Sequence, residues 1–170
     1  DFDLAPAEGF DPGVGRFVAM LEDTRRRLLR DLRDLDEAYL DRGLPWDPNS
    51  IGTLLYHVAA IELDWTFADI LESDGFPEGA DDWFPVDVRD EDGRLVPVVD
   101  PLRRHLDRLA WVRGHLLDAL RGLSDTDLDR TVGAGTASEA TIGWILQHLM
   151  QHEAEHRGQI GELRVALRRT

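Results

Sequence analysis

Three of the six histidines in this chain, His148, His152 and His156, fall within nine residues at a spacing of four. On an α-helix, with about 1.5 Å rise per residue and 3.6 residues per turn, neighbouring members of such a set lie roughly 6 Å apart along one face. A pair so placed can offer two imidazoles to one metal ion. All three cannot, because His148 and His156 stand about 12 Å apart along the axis while a Zn–N bond is only about 2 Å long. One neighbouring pair, His148 with His152 or His152 with His156, must therefore be the candidate. The chain has no cysteine, so a metal here must take imidazole nitrogen, carboxylate oxygen or water, which suits zinc, nickel, iron or manganese.

A fourth histidine, His57, sits among Leu54, Leu55, Val58 and Ile61. Alone it would read as an ordinary core residue. Beside a His-x-x-x-His pair on another apolar helix, it completes a set of three neutral imidazoles that leaves a coordination position open, as catalytic sites do. Its surroundings also repeat: Ser50-Ile51-Gly52-Thr53-Leu54-Leu55-Tyr56-His57 matches Thr141-Ile142-Gly143-Trp144-Ile145-Leu146-Gln147-His148 in hydroxyl, Ile-Gly, apolar pair and histidine. Duplication of a helical hairpin, or shared capping and packing needs, would each produce that pattern. Glu62 follows His57 by five residues, and Glu153 and Glu155 flank the ligand pair. Any of these can orient an imidazole or act as a base, although Glu153 and Glu155 are expected to be solvated. Arg157 offers a bidentate fork for an anionic substrate or cofactor carboxylate, or else an ion pair with Glu153 or a partner helix.

The elements that must position these groups are helices. From about Val14 to Leu40 apolar residues recur every three and four positions, predicting a long amphipathic helix behind a loose arm at residues 1–11. A turn rich in glycine and proline follows, and Ser50 is placed to cap a second helix from about Ile51 to Glu72. Ser73 to Asp100 has no helical period; Val86, Val88, Asp92-Gly93, Leu95, Val96 and Val98 suggest a short hairpin, the chain's only strand candidate. A third helix runs from Pro101 to near Gly122, and after a glycine-rich connection a fourth spans about Ala140 to Leu167. Four long helices predict an all-α four-helix bundle with a polar site built between facing helices. Of the tryptophans, Trp46, Trp65, Trp111 and Trp144 fit as packing anchors, and Trp83 as part of the long connection packed on the bundle or covering the metal cleft.

At 170 residues the chain suits a single domain, residues 1–170. Its net charge of −15 would repel phosphate backbones and anionic lipid surfaces, so neither nucleic acid nor a membrane is an expected partner. No early apolar run resembles a signal peptide and no stretch is long enough to span a bilayer, so a cytoplasmic location is expected. All 19 basic residues are arginine, which excludes Schiff-base chemistry on a lysine.

Ile51-Gly52-Thr53-Leu54-Leu55-Tyr56-His57-Val58-Ala59-Ala60-Ile61-Glu62, with Trp65 one turn further, resembles the second helix of the DinB/YfiT-like metalloenzyme superfamily. His152-Glu153-Ala154-Glu155-His156-Arg157-Gly158-Gln159-Ile160 resembles that family's most recognisable motif, His-x-x-x-His-Arg-Gly-Gln-Ile on the last helix. The likeness covers most of the chain, with its specific parts on these two helices. It implies an up-down-down-up bundle, often a homodimer, holding a divalent metal through His57, His152 and His156. His148 falls outside that triad, as a neighbour of the ligands or a substrate contact. Characterised relatives include thiol transferases that use mycothiol or bacillithiol, and a mycothiol-dependent maleylpyruvate isomerase. The resemblance therefore implies a metal-dependent transferase, with zinc or nickel foremost, that activates a low-molecular-weight thiol toward a small-molecule substrate; Glu62 and Arg157 are its candidate catalytic residues. A metal-binding stress-response protein without turnover and a metal-dependent hydrolase are the competing readings. The Ser73 to Asp100 connection departs from the compact family pattern.

Overall fold

The computed structural model describes residues 4–45, 48–135 and 139–169. Helix α1, Pro12–Leu32, starts on a proline, whose missing N–H is harmless in a first turn. It ends short of the expected Leu40, because the chain turns and re-forms as a single 3₁₀ turn, Glu37–Tyr39, capped by the Asp36 carboxylate. Helix α2, Ile51–Asp64, begins at Ser50 as predicted, the serine hydroxyl accepting from the Thr53 N–H at 3.1 Å. At its far end the Thr66 hydroxyl donates back to the Glu62 carbonyl and the helix widens into a π-helical stretch, Trp65–Ile70. A four-residue helix α3, Ala80–Trp83, lies in the long connection. Helices α4, Leu102–Arg121, and α5, Ile142–Leu167, complete the set, the Thr141 hydroxyl capping α5 through the Trp144 N–H.

The repeated Ile-Gly of α2 and α5 has a separate cause in each. A Cβ on Gly52 would stand 3.0 Å from His105 Nε2, and one on Gly143 would stand 3.1 Å from the Leu128 carbonyl oxygen. Capping and close packing thus suffice for the likeness.

Side-chain pairings set the helix directions. Gly52 lies on His105 in the first turns of α2 and α4, and Glu62 meets Arg113 further along both, so these helices run parallel. Arg25 meets Glu153 and Asp31 meets Arg157, so α1 and α5 also run parallel. Trp65 packs beside Trp144 while His57 reaches His156, so α2 opposes α5. The result is an up-down-down-up bundle, and the crossover that parallel neighbours require is the 73–100 connection.

The core is cut in two. One apolar cluster gathers Leu28, Leu32, Leu55, Val112, Ile160 and Leu163; the other gathers Val14, Leu21, Leu116, Ile145, Leu146 and Leu149. Between them, at one level of the bundle, lie Arg25 of α1, Glu62 of α2, Arg113 of α4 and Glu153 of α5, each no more than 5 % exposed. Buried charges are tolerated when paired and hydrogen-bonded, and here two guanidiniums meet two carboxylates.

Residues 51–60 of α2 are buried on every face, as an all-round apolar helix must be. The outer face is covered by the long connection: the Tyr56 hydroxyl donates to the Val86 carbonyl at 2.5 Å, and the Val98 N–H donates to Thr53 Oγ1. Arg108, fully buried, clamps this cover by donating to the Trp83 carbonyl and the Asp100 carboxylate while lying over the Tyr56 ring. The hairpin expected here is reduced to one bridge, Arg89 with Leu95, around Gly93 at φ +77°. Pro97 has no N–H to extend the ladder and Val98 gives its own to Thr53. Paired strands occur instead in the second connection, β1 Thr131–Val132 with β2 Ala140–Thr141, antiparallel and too short to leave a period in the sequence. The described part of the N-terminal arm is not loose: the Ala7 N–H donates to the Gly15 carbonyl and Phe10 packs on the core. Trp46 lies outside the described residues. Among the described residues no helix is long and apolar enough to cross a membrane.

Candidate metal centre

Helix α5 presents His152 and His156 one turn apart, and α2 brings His57 against them. His152 Nε2 stands 3.1 Å from both His57 Nε2 and His156 Nε2. A candidate ligand atom from each ring lies within 4.8 Å of the others. A tetrahedral ion with Zn–N bonds of about 2.0–2.1 Å separates its ligand nitrogens by roughly 3.3 Å, a spacing that the two pairs formed by His152 already match. His156 Nδ1 faces Gln159 Oε1 at 2.8 Å. An amide oxygen only accepts, so Nδ1 carries the proton and Nε2 turns its lone pair toward the other rings.

The surroundings keep these rings neutral. Burial, helped by the charges of His156 and Arg89, pushes His57 down to about 4. Burial and the neighbouring histidines push His152 down to about 3, and burial lowers His156 against the opposing pull of Gln159 and Glu155. Neutral imidazole is the form that binds a metal. The burial carries a cost, since His57 Nδ1 has no hydrogen-bond partner among the described residues.

The other candidates lie differently. His148 is stacked on Trp144, with ring centroids 5.1 Å apart and planes 4° from parallel, and meets the edge of Trp65. Glu62 turns into the charged layer, accepting from Arg25 Nη2 at 2.8 Å and from Arg113 Nε and Nη2 at 2.8 and 2.9 Å. Burial pushes its carboxyl up, but Arg113 and Arg25 together outweigh burial and hold it below the usual range. Glu153, expected to be solvated, is instead 1 % exposed and paired with Arg25 and Arg113. It is buried because α5 directs that position at the bundle axis when His152 and His156 face α2. Glu155 is exposed, as expected, and accepts from Gln151. Arg157 donates to Asp31 of α1 at 2.6 Å, the ion pair with another helix that stood as its alternative role. Trp83 packs beside Trp111 under Arg104, in the clamp that holds the long connection.

Two sets of residues gave no signal in the sequence. Arg25 and Arg113 belong to no motif, yet they neutralise the layer next to the histidines. Arg89, on the long connection, is near enough for its charge to act on all three histidines. It also lines a cleft of about 530 Å³ between that connection and the face of α2 bearing Ala60, Ile61 and Asp64, which continues the His57 face by one and two turns.

No functionally curated protein matches the sequence. Among solved structures the chain is similar to one described as a conserved protein from Enterococcus faecalis, with 19 % identity, a TM-score of 0.67, and coverage of 87 % of this chain and 92 % of that one. At that identity the likeness speaks for the fold. The sequence profile of the DinB superfamily matches residues 20–160, from α1 through the Arg-Gly-Gln-Ile end of the histidine motif on α5. With its profile matched over most of its length, the chain belongs to the DinB superfamily.

Proposed function

We propose that the protein is a metal-dependent transferase that activates a low-molecular-weight thiol, bacillithiol or mycothiol, for attack on a small electrophile. The observation that carries this reading is the convergence of three neutral imidazoles from α2 and α5, with His152 Nε2 3.1 Å from each of the other two and Gln159 fixing the tautomer of one. His57, His152 and His156 would hold the ion, zinc or nickel in preference to iron or manganese. A divalent ion with three neutral ligands would keep its positive charge and supply the means to lower a thiol's pKa into the physiological range. That role suits a chain with no cysteine of its own. The charged layer keeps α2 and α5 in register so that the rings meet, and the cleft beside them offers room for the acceptor.

The test is metal analysis of the purified protein, followed by turnover assays with bacillithiol, mycothiol and glutathione against a panel of electrophiles. Turnover with one thiol that disappears on chelation and in His152→Ala is the expected result. Stoichiometric metal without turnover for any thiol would reject the transferase in favour of a binding protein, and thiol-independent hydrolysis would reject it in favour of a hydrolase.

A further inference from the structure

The cleft beside the histidines is built for a particular kind of molecule. Its walls are apolar at Ile61, Phe76 and Phe84, and among the described residues Arg89 is the only base that lines it. Arg89 is exposed on the long connection, and contacts on either side of it fix its place. The Tyr56 hydroxyl pins Val86 to α2 one residue before His57, accepting from its N–H as well as donating to its carbonyl, and Arg89 follows three residues on. Its Nη1 donates to the Gly93 carbonyl at 2.8 Å, which orients the guanidinium. Arg89 forms no ion pair among the described residues, whereas Arg25, Arg108, Arg113, Arg130 and Arg157 all do. In a chain of net charge −15, an arginine without an ion pair, on the lining of a cleft that continues the His57 face of α2, is a localised seat for an anion. The other charged groups on the lining, Asp64, Asp81 and Asp87, are acidic. Their repulsion grows with the charge of the ligand, so it opposes phosphates and dianions more strongly than a single negative charge placed at Arg89.

We propose that Arg89 binds the carboxylate of the acceptor substrate, a monocarboxylic acid whose apolar body lies between Ile61, Phe76 and Phe84. The proposal rests on the transferase reading for the word acceptor; the seat itself does not require the metal. A guanidinium can hold a carboxylate through two parallel N–H···O bonds, and Nε and Nη2 remain for this once Nη1 has turned to Gly93. Arg157, the arginine that the sequence motif suggests for an anion, is committed to Asp31.

The experiment titrates chelator-treated protein with 3-phenylpropanoate and with its uncharged amide, following binding by calorimetry and by NMR of the probe. The acid should bind about tenfold more tightly than the amide at low salt. Arg89→Gln should erase that preference while leaving amide binding unchanged, Arg89→Lys should restore part of it, and Arg157→Gln should leave it intact. Equal affinity for acid and amide in the wild type, or an acid preference that survives Arg89→Gln, would overturn the proposal, as would failure of both probes to bind. If bacillithiol displaced the acid only when Arg89 is present, the seat would belong to the thiol and the assignment to the acceptor would fall. Because these titrations need neither metal nor turnover, their failure is distinct from failure of the transferase reading.

Discussion

Replacing Glu62 by Gln should destabilise the protein through the charged layer rather than disable its chemistry. Glu62 is 3 % exposed and receives three charge-assisted hydrogen bonds from Arg25 and Arg113. With Glu153 it balances those two guanidiniums; a glutamine leaves the layer one charge positive and turns an NH₂ donor toward N–H donors. Removing one partner of a buried pair costs about 3–5 kcal/mol. The half-exposed Glu22, which also accepts from Arg113 at 2.8 Å, relieves part of the imbalance, so the lower end, about 3 kcal/mol, is expected. In a protein of this size that lowers Tm by roughly 6–12 °C. Urea unfolding at pH 7 in the presence of chelator measures it, with the m value checking that the unfolded reference is unchanged. A stability change under about 1 kcal/mol, accompanied by lost turnover, would refute the structural role and return Glu62 to the chemistry as a base.

The metal site makes its own prediction. His152→Ala should lose most bound metal by elemental analysis while His148→Gln keeps it, and because burial lowers all three ligand histidines, His57 to about 4 and His152 to about 3, occupancy should persist below pH 6.5 before protons compete. Loss of metal in His148→Gln would move the site one turn along α5. Fully buried His105 is pushed down to about 4 by burial first and then by Arg108, with Asp100 opposing. The unfolded chain takes up that proton near pH 6.5 and the folded chain only near 4, so this contribution to stability is present above pH 6.5 and is lost as pH falls toward 4, to the extent of roughly 3 kcal/mol. Urea unfolding should therefore show a shallower loss between pH 6.5 and 4.5 in His105→Gln than in the wild type; identical slopes would exclude the histidine as a source. Gly52→Ala should destabilise by about 1–3 kcal/mol, since its Cβ would press on His105 Nε2 at 3.0 Å and Asp41 Oδ1 at 3.2 Å. Gly161→Ala, with nothing near its Cβ, should stabilise by up to about 1 kcal/mol; thermal unfolding of the two variants should give shifts of opposite sign.

By itself the amino-acid sequence determined where the four long helices start, because apolar period, proline starts and hydroxyl caps are local properties, but not where α1 and α2 end. Ser50 and Thr141 cap where their positions say they should. The same holds for the histidine pair, whose spacing of four is meaningful only on a helix, and for the family motif that preferred His152 and His156 over His148. What only the tertiary structure decided are the facts that depend on which face meets which. Arg25, Glu62, Arg113 and Glu153 are scattered along four helices, and no local pattern links them; they form a layer because the bundle puts them at one height. Glu153 is buried while Glu155 is exposed, a distinction set by the rotation of α5 about its axis. Arg89 has no periodic context at all, and lines the cleft on α2 only because Tyr56 fastens a loop thirty residues away in sequence onto that helix. Periodicity reports the near neighbours of a residue, whereas charge pairing across a core and the anchoring of a loop are contacts between residues far apart in the chain, and only the folded arrangement brings them together.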